Sequence, residues 1–378
     1  MLALITLLLI DQYRNFSRRS LLLYAALACG IACLARYSGV ALVLTGIIVL
    51  LWTGQRWRRR LVDSGIFTVF AVAPLTVWLA RNAAVAGSAT TRDLVFHTIP
   101  YWKWVTGLDT LASWLVTYQA HVAVKYAVGL GALVVIVVLV VLPRGTGSVR
   151  TGIVPERTPL ALSIFIPCYL MTVLASITFI DAFIPLDNRL LSPLLPAIVI
   201  VVLQLGCRVL QSSSGRRQAR LGLLVLVGIW LVLWTTQAVS WMVRRSRDGE
   251  WYTSAKWQGS ETMAEVRRLH AEAVIYSNVP EAIYLVAGRP ASPIPEVVDH
   301  HTGMDNPTYR VEMDSLRAAL AGENALVAYF TSEEERRWYM PTMRELMAGA
   351  DLMPFIITAD GAICYRIQGL TGSRSILP

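Results

Sequence analysis

Two arginines interrupt apolar sequence, and their chemistry suits an anionic group. Arg36 precedes Tyr37 in the middle of the apolar stretch 20–52, and Arg189 stands at the start of a later apolar run. A guanidinium offers forked donors that match phosphate oxygens, and an arginine among apolar segments is costly unless it meets an anion or a water-filled cavity. Two alternatives stay open: Arg36 in an interfacial turn with its side chain extended to water, and Arg189 as a topological anchor at a helix end.

The segment 81–121 interleaves aromatic, basic and polar side chains. Such a mixture suits a lipid-linked phosphate or a sugar, because arginine binds phosphate and aromatic faces cover sugar C–H surfaces. An interfacial aromatic belt explains the tryptophans equally well without any ligand. The residues of this kind are Arg81, Asn82, Arg92, Asp93, His97, Trp102, Lys103, Trp104, Asp109, Trp114, Tyr118 and His121. Further along the chain, Asp187 is placed to hold Arg189 by an ion pair.

These residues lie between apolar runs long enough to cross a bilayer. Runs of about 20 residues are enough to span a hydrocarbon core as helices. One helix over 20–52 would be about 50 Å long, so we predict two short helices that meet at Arg36. A helix over 64–80 is expected to bend at Pro74. The other predicted spans are 122–142, 159–180, 190–210 and 221–243.

Basic clusters predict the orientation, because cytoplasmic loops of membrane proteins are rich in Lys and Arg. Four clusters are mutually consistent only if 20–52 leaves the cytoplasm and returns, so 81–121, 181–188 and everything after Val243 face outward. The apolar segment 1–10 is too short for a span, and we expect it to be the end of a transmembrane helix in an N-terminally truncated chain. The cytoplasmic clusters are Arg14, Arg18 and Arg19; Arg56, Arg58, Arg59 and Arg60; Arg144, Arg150 and Arg157; and Arg216, Arg217 and Arg220.

Charge separates the chain into two domains and argues against two classes of function. Residues 1–243 carry 20 Lys/Arg and 7 Asp/Glu, whereas residues 244–378 carry 14 and 18. The excess of positive charge sits in short clusters between apolar runs, which indicates membrane topology rather than nucleic-acid binding. None of the seven carboxylates before residue 243 falls in the middle of a span, which argues against an ion-coupled transporter.

Residues 244–378 are predicted to form a soluble, extracytoplasmic α/β domain. Helical patterns at 261–270, 280–287, 314–321 and 333–348 alternate with strand patterns at 273–277 and 325–330. Strands at 355–358 and 362–367 flank Asp360-Gly361, a pair typical of a hairpin turn. No glycine-rich phosphate-binding motif is present, so nucleotide binding is not expected here.

Four segments resemble the bacterial GT-C glycosyltransferases of the protein-mannosyltransferase and aminoarabinose-transferase type. They are LARYSGV (34–40), PLTVWLARN (74–82) with Gly87-Ser88, DNRLLSPLLP (187–196) and YSNVPEAIY (276–284). The resemblance implies a polytopic α-helical membrane protein of the bacterial inner membrane that transfers a sugar from a polyprenyl-phosphate donor to an acceptor on the outer face.

The resemblance also implies roles for individual residues. Arg36, Arg81 and Arg189 match basic positions expected to bind the lipid phosphate, and a divalent metal sometimes assists in that family. The family's catalytic base is an acidic residue in a first outer loop, and this loop has no counterpart in this sequence. No metal ligand is assigned. A non-enzymatic scaffold that displays the C-terminal domain is the alternative, and a transporter comes third. Further candidates for substrate binding are Tyr37, Asn82, Arg92, His97, Trp102 and Asp187.

Overall fold

The computed structural model describes residues 1–52, 56–90, 92, 94–116, 121–141, 160–201, 203, 216–322, 324–335 and 337–366. The chain divides into two compact units, Met1–Trp234 and Thr235–Pro378. The basic cluster at 144, 150 and 157 lies outside the described residues, as do Asp93, Tyr118 and Glu156. Each unit is described by itself below.

Unit 1 is helical. Its buried core is formed mainly by apolar side chains of α1, α2, α3 and α7, with Phe67 and Ala71 from α4. The helices are α1 (Leu2–Phe16), α2 (Arg19–Ala35), α3 (Val40–Trp52), α4 (Trp57–Ala86), α5 (Tyr101–Ser113), α6 (Val122–Val141), α7 (Leu160–Phe179), α8 (Asn188–Leu191), α9 (194–201) and α10 (Arg216–Asp248), which continues into unit 2.

The predicted break at Arg36 is confirmed. Arg36 has extended backbone angles, and a single 3₁₀ turn at Tyr37–Gly39 leads directly into α3. Gly39 packs so closely on the last turns of α2 that an added Cβ would lie 2.7 Å from the Ala32 carbonyl oxygen. Any larger residue at position 39 would therefore push the two helices apart.

Two helices of the described residues, α4 and α7, are long and apolar enough to cross a membrane, by length and composition. The helix predicted over 64–80 is longer than expected. It forms part of α4, which has 30 residues and contains Pro74 in its interior. Helices α2 and α3 and the start of α6 (Val122–Gly131) are also apolar but shorter. The described part of the chain thus has two candidate spans; the sequence patterns predict more, and parts of the predicted spans 122–142, 159–180 and 190–210 lie outside the described residues.

The helix bundle of unit 1 has two ends, and different helix termini meet at each of them. At one end the Tyr13 hydroxyl donates a 2.5 Å hydrogen bond to Asp63, near the start of α4, and α2 begins three residues after α1 ends. Further along, Gly30 of α2 contacts Pro74 of α4, so these helices run parallel. Their carboxyl ends therefore lie together, at the opposite end of the bundle from Tyr13.

Unit 2 contains a five-stranded sheet with the order β2-β1-β3-β5-β4. Strand β1 pairs in parallel with β2 and β3, whereas β5 pairs antiparallel with β3 and β4. All six residues of β3 are buried, since apolar clusters cover both faces of the sheet. The strands are β1 (Val274–Ser277), β2 (Ala291–Pro293), β3 (Ala325–Phe330), β4 (Leu352–Ile357) and β5 (Gly361–Arg366).

Helices surround this sheet. A π-helical turn, Ile283–Ala287, follows α13, and 3₁₀ turns occupy Trp251–Thr253 and Thr331–Glu333. The α/β alternation and the hairpin of β4 and β5 are confirmed. The α-helices are α11 (Ala255–Gln258), α12 (Glu261–Arg268), α13 (Pro280–Ala282), α14 (Tyr309–Ala319) and α15 (Met343–Ala350).

The helix predicted over 333–348 is wrong in its first half. Pro341 lacks the amide that a helix interior needs, and Thr342 instead begins α15. The Thr342 hydroxyl accepts from the Glu345 amide while the Glu345 carboxylate accepts from the Thr342 amide, a reciprocal cap. The short strand β2 was not predicted from the sequence.

Candidate functional site

The chain between α7 and α8 is held in place by contacts to its carbonyl groups. Lys103 of α5 is fully buried, and its ammonium donates to the carbonyls of Ala182 and Ile184, the latter at 3.0 Å. The Thr110 hydroxyl, two turns later on α5, donates to the Leu186 carbonyl at 2.9 Å. Burial lowers the pKa of Lys103 to about 8. Helix α5 thus fixes the path of 181–186.

Residues 92 and 94–97 contact the end of α7 from another side. The His97 amide donates to the Thr178 carbonyl at 2.7 Å, and the Val95 amide donates to the Phe179 carbonyl at 3.1 Å. Arg92 forms an ion pair with Asp181, which is buried. His97 is itself buried, with Nδ1 3.2 Å from the same Thr178 oxygen. His97 and Arg92 therefore have structural contacts here, although the sequence suggested them for substrate binding.

Helix α8 places Arg189 by means of its backbone. The Asp187 carboxylate accepts a 3.0 Å hydrogen bond from the Leu190 amide, and so caps the helix. Arg36 Nη1 donates to the Arg189 carbonyl at 2.9 Å, and the Tyr169 hydroxyl donates to the Leu190 carbonyl at 2.7 Å. The predicted ion pair between Asp187 and Arg189 is not found in the part of the chain that the structure describes, because the carboxylate is used as a cap.

Helix α8 is also held from its other side by Trp114. This buried indole donates from Nε1 to Asn188 Oδ1 at 2.6 Å. The Trp114 carbonyl accepts in turn from the indoles of Trp230 and Trp234, at 3.0 and 3.2 Å. The indole nitrogen of the buried Trp114 needs an acceptor, which Asn188 supplies, and the half-buried Trp230 and exposed Trp234 both have theirs in the Trp114 carbonyl. Residues 188–190 are therefore fixed on several sides.

The three arginines that resemble lipid-phosphate positions all lie at the same end of unit 1. Arg36 follows α2 and contacts Arg189, and Arg81 is near the carboxyl end of the parallel helix α4. All three side chains are exposed. The guanidinium carbon of Arg81 lies over the Trp78 ring, 5.4 Å from the ring centre. Within the described residues, none of the three has a carboxylate partner, and Arg81 makes no contact with the other two.

Two other cations at this end are paired with carboxylates, whereas the buried Lys103 binds backbone carbonyls. Arg92 pairs with Asp181, and Lys125 lies 3.5 Å from Asp109. Together with the capping role of Asp187, these pairs engage every carboxylate described at the arginine end. The arrangement can therefore attract and bind an anion, but among the described residues it offers no uncommitted carboxylate to accept a proton.

The remaining predicted side chains form no hydrogen bond or ion pair with the three arginines in the part of the chain that the structure describes. Tyr37 is 59% exposed beside Arg36, and Asn82 is half-buried beside Arg81. Trp102 is exposed, with the Lys103 ammonium 5.3 Å from its ring centre. Sequence reasoning missed the positioning roles of Lys103, Trp114 and Tyr169. A helical apolar period across 101–112 was the available signal for α5.

No protein-family model, curated protein or solved structure matches the chain.

Proposed function

We propose that the chain belongs to a GT-C-type membrane glycosyltransferase that uses a polyprenyl-phosphate sugar donor. The proposal places the protein in the bacterial inner membrane as a multi-pass protein, with residues 244–378 outside the cytoplasm. Transfer to the acceptor would take place on the outer face. The uncompensated charge of Arg36, Arg81 and Arg189 at one end of an apolar helix bundle carries this proposal.

The chemistry of the donor supports the assignment. A polyprenyl phosphate combines an apolar chain with an anionic head, so its receptor needs cations beside an apolar surface. Exposed guanidiniums that end apolar helices meet both requirements, and they stabilise the negative charge that grows on a departing lipid phosphate. The basic residues from Arg14 to Arg19 and from Arg56 to Arg60 lie at the opposite end of the bundle, as inside-facing clusters would.

Binding of polyprenyl phosphate by the detergent-solubilised full chain tests the anion site. We expect Arg189→Ala and Arg36→Ala each to weaken binding by about 10- to 100-fold, the value of one hydrogen bond to a charged group. Arg18→Ala is the matched control, since this exposed arginine lies at the opposite end. Equal affinity of all three variants and the wild-type chain would refute the site.

Sugar transfer tests the reaction separately. In the membrane-embedded protein we expect Arg189→Ala to abolish transfer while the protein remains folded. Unchanged transfer would reduce Arg189 to an anchor. Reporter fusions near Trp104 and beyond Trp251 test the topology, and cytosolic signals from either position would contradict the outward placement of the arginines.

A second candidate is a non-enzymatic membrane protein that displays residues 244–378 to a partner. The commitment of Asp109, Asp181 and Asp187 to ion pairs or a cap favours it, because a transferase needs a base. The two candidates differ in one measurement. Sugar transfer by membranes that contain the complete protein supports the enzyme, and its absence alongside intact polyprenyl-phosphate binding supports the second candidate.

A further inference from the structure

A cavity of about 630 Å³ opens at the carboxyl ends of β1 and β2 in unit 2. Tyr276 of β1 and Pro293 of β2 line its floor, and α14 forms one wall. Its volume falls in the range of small-molecule sites, about 300–1,000 Å³. Ligands of open α/β sheets bind outside the carboxyl ends of parallel strands. The location and the size are therefore those of a binding site.

Three side chains that can ligate a metal converge at the edge of this cavity. Glu296, Asp299 and His300 each offer a donor atom, and these atoms lie within 4.8 Å of one another. His300 Nδ1 is 2.7 Å from Glu296 Oε2, so a cation can replace the proton that these two atoms share. Glu296 and Asp299 both line the cavity.

The loop that carries these residues is already fixed. The amides of Val297 and Val298 donate to the Tyr339 carbonyl at 2.9 and 3.1 Å, and the Asn306 side chain donates to the Glu296 carbonyl at 2.8 Å. The His300 ring packs on Tyr339, with ring centres 5.1 Å apart. The three ligating side chains are thus placed before any ligand arrives, which is what a metal site requires.

The cavity is acidic. Glu296, Asp299 and Glu312 line it, and no lysine or arginine is found among its described lining residues. Both Glu312 oxygens are engaged, one by the Thr308 hydroxyl at 2.6 Å and the other by the Asn306 amide at 3.2 Å. Asp299 Oδ1 accepts from two backbone amides and the Thr302 hydroxyl also interacts with this carboxylate, whereas Glu296 Oε1 accepts no hydrogen bond within the described structure. At least this oxygen of Glu296 remains for a cation.

We propose that Glu296, Asp299 and His300 bind a divalent transition-metal cation, Zn²⁺ or Mn²⁺. Imidazole nitrogen favours zinc and its neighbours, and carboxylate oxygens serve zinc and manganese alike. Three protein ligands leave coordination positions open towards the cavity, where an oxygen-donor ligand completes the shell. The site is independent of the arginines of unit 1 and of the proposed sugar transfer.

Isothermal titration calorimetry of the metal-stripped full chain with Zn²⁺ and with Mn²⁺ measures the metal affinity and so tests the site. A lost hydrogen-bond partner of a ligand typically costs 10- to 100-fold in metal affinity, so we expect His300→Gln and Asp299→Asn each to cost at least about 100-fold. His270→Gln and Glu272→Gln are the controls, an exposed histidine and an exposed carboxylate elsewhere in unit 2. The controls should stay within about threefold of wild type.

Hydrogen exchange of the peptides that cover 294–308 provides a second readout that does not depend on any one variant folding well. Metal should slow this exchange in the wild-type chain and in both controls, and should leave it unchanged in His300→Gln and in the isosteric Glu296→Gln. Equal metal affinity of the ligand variants and the controls overturns the proposal. So does a wild-type chain that binds neither metal at submillimolar concentration.

Discussion

Removal of the Asn278 side chain should loosen the centre of the unit 2 sheet. Asn278 is 1% exposed and stands directly after β1. Its Nδ2 donates to the Phe330 carbonyl and its Oδ1 accepts from the Phe330 amide, both at 2.9 Å. This pair of hydrogen bonds joins the carboxyl ends of β1 and β3, and Phe330 is fully buried. In Asn278→Ala both backbone groups of Phe330 lose their partner.

The magnitude follows from those two groups. A buried donor or acceptor left without a partner costs about 1–3 kcal/mol, so we expect Asn278→Ala to cost about 2–6 kcal/mol. Each 1.4 kcal/mol corresponds to a factor of about ten in an opening equilibrium, so the lower bound is roughly a 30-fold effect. A smaller loss would mean that water reaches Phe330 and replaces the amide.

Hydrogen exchange read by mass spectrometry measures the effect on the full chain. We expect peptides that cover 274–278 and 325–330 to exchange at least about 30-fold faster in Asn278→Ala. Asn324→Ala is the matched control, because this asparagine is exposed at the start of β3. The reasoning is refuted if the two variants exchange at rates within threefold of each other across both peptides.

Three other perturbations test separate parts of the fold. Gly46→Val should cost about 1–3 kcal/mol by overpacking, since even a Cβ there overlaps the Phe67 ring; thermal unfolding in detergent should show it, whereas the control Gly65→Ala, which meets open space inside a helix, should not lower the melting temperature. Tyr13→Phe leaves the buried Asp63 without its 2.5 Å donor and should cost about 1–3 kcal/mol in the same assay; an unshifted melting temperature would contradict this. Partial burial acts to raise the pKa of Asp360, but hydrogen bonds from Ser260, Thr262 and Thr358 lower it overall. The carboxylate therefore stabilises the fold at neutral pH, and this contribution should disappear as the pH falls through the lowered pKa. The protection factors of the 358–366 peptide, which are corrected for the intrinsic exchange rate at each pH, should thus fall in acid for the wild type and change less in Asp360→Asn.

Local sequence patterns predicted the elements whose boundaries are set locally. The turn at Arg36 follows from a polar interruption in an apolar stretch too long for one helix. The hairpin turn at Asp360-Gly361 was predicted because this residue pair is preferred in such turns. The structure shows in addition that the Asp360 carboxylate accepts four hydrogen bonds. The helix over 333–348 was predicted too long because its pattern was followed through Pro341.

The contacts of the candidate site could not be predicted, because they join distant parts of the chain. Asp181 and Asp187 have different roles because different groups lie beside their carboxylates. Asp181 pairs with the guanidinium of Arg92, whereas Asp187 accepts a hydrogen bond from the Leu190 amide. The burial of Lys103 depends on the carbonyls that approach it, 79 and 81 positions later in the chain. Residue type indicated that Arg36, Arg81 and Arg189 suit an anion, and the predicted topology put them on one side of the membrane, whereas the contact of Arg36 with the Arg189 carbonyl is visible only in the fold.

The contact between Gly30 and Pro74 helps to set the distance between Arg36 and Arg81. A methyl group at position 30 would come within 2.9 Å of Pro74 Cγ, so the two helix backbones touch about two turns before Arg36 and Arg81. In the proposed anion site, the width of a head group that both guanidiniums reach would be limited by a residue with no side chain, remote from the arginines themselves. A bulkier residue at position 30 would spread the pair without altering either arginine, and under the proposed function the preferred anion would change with it.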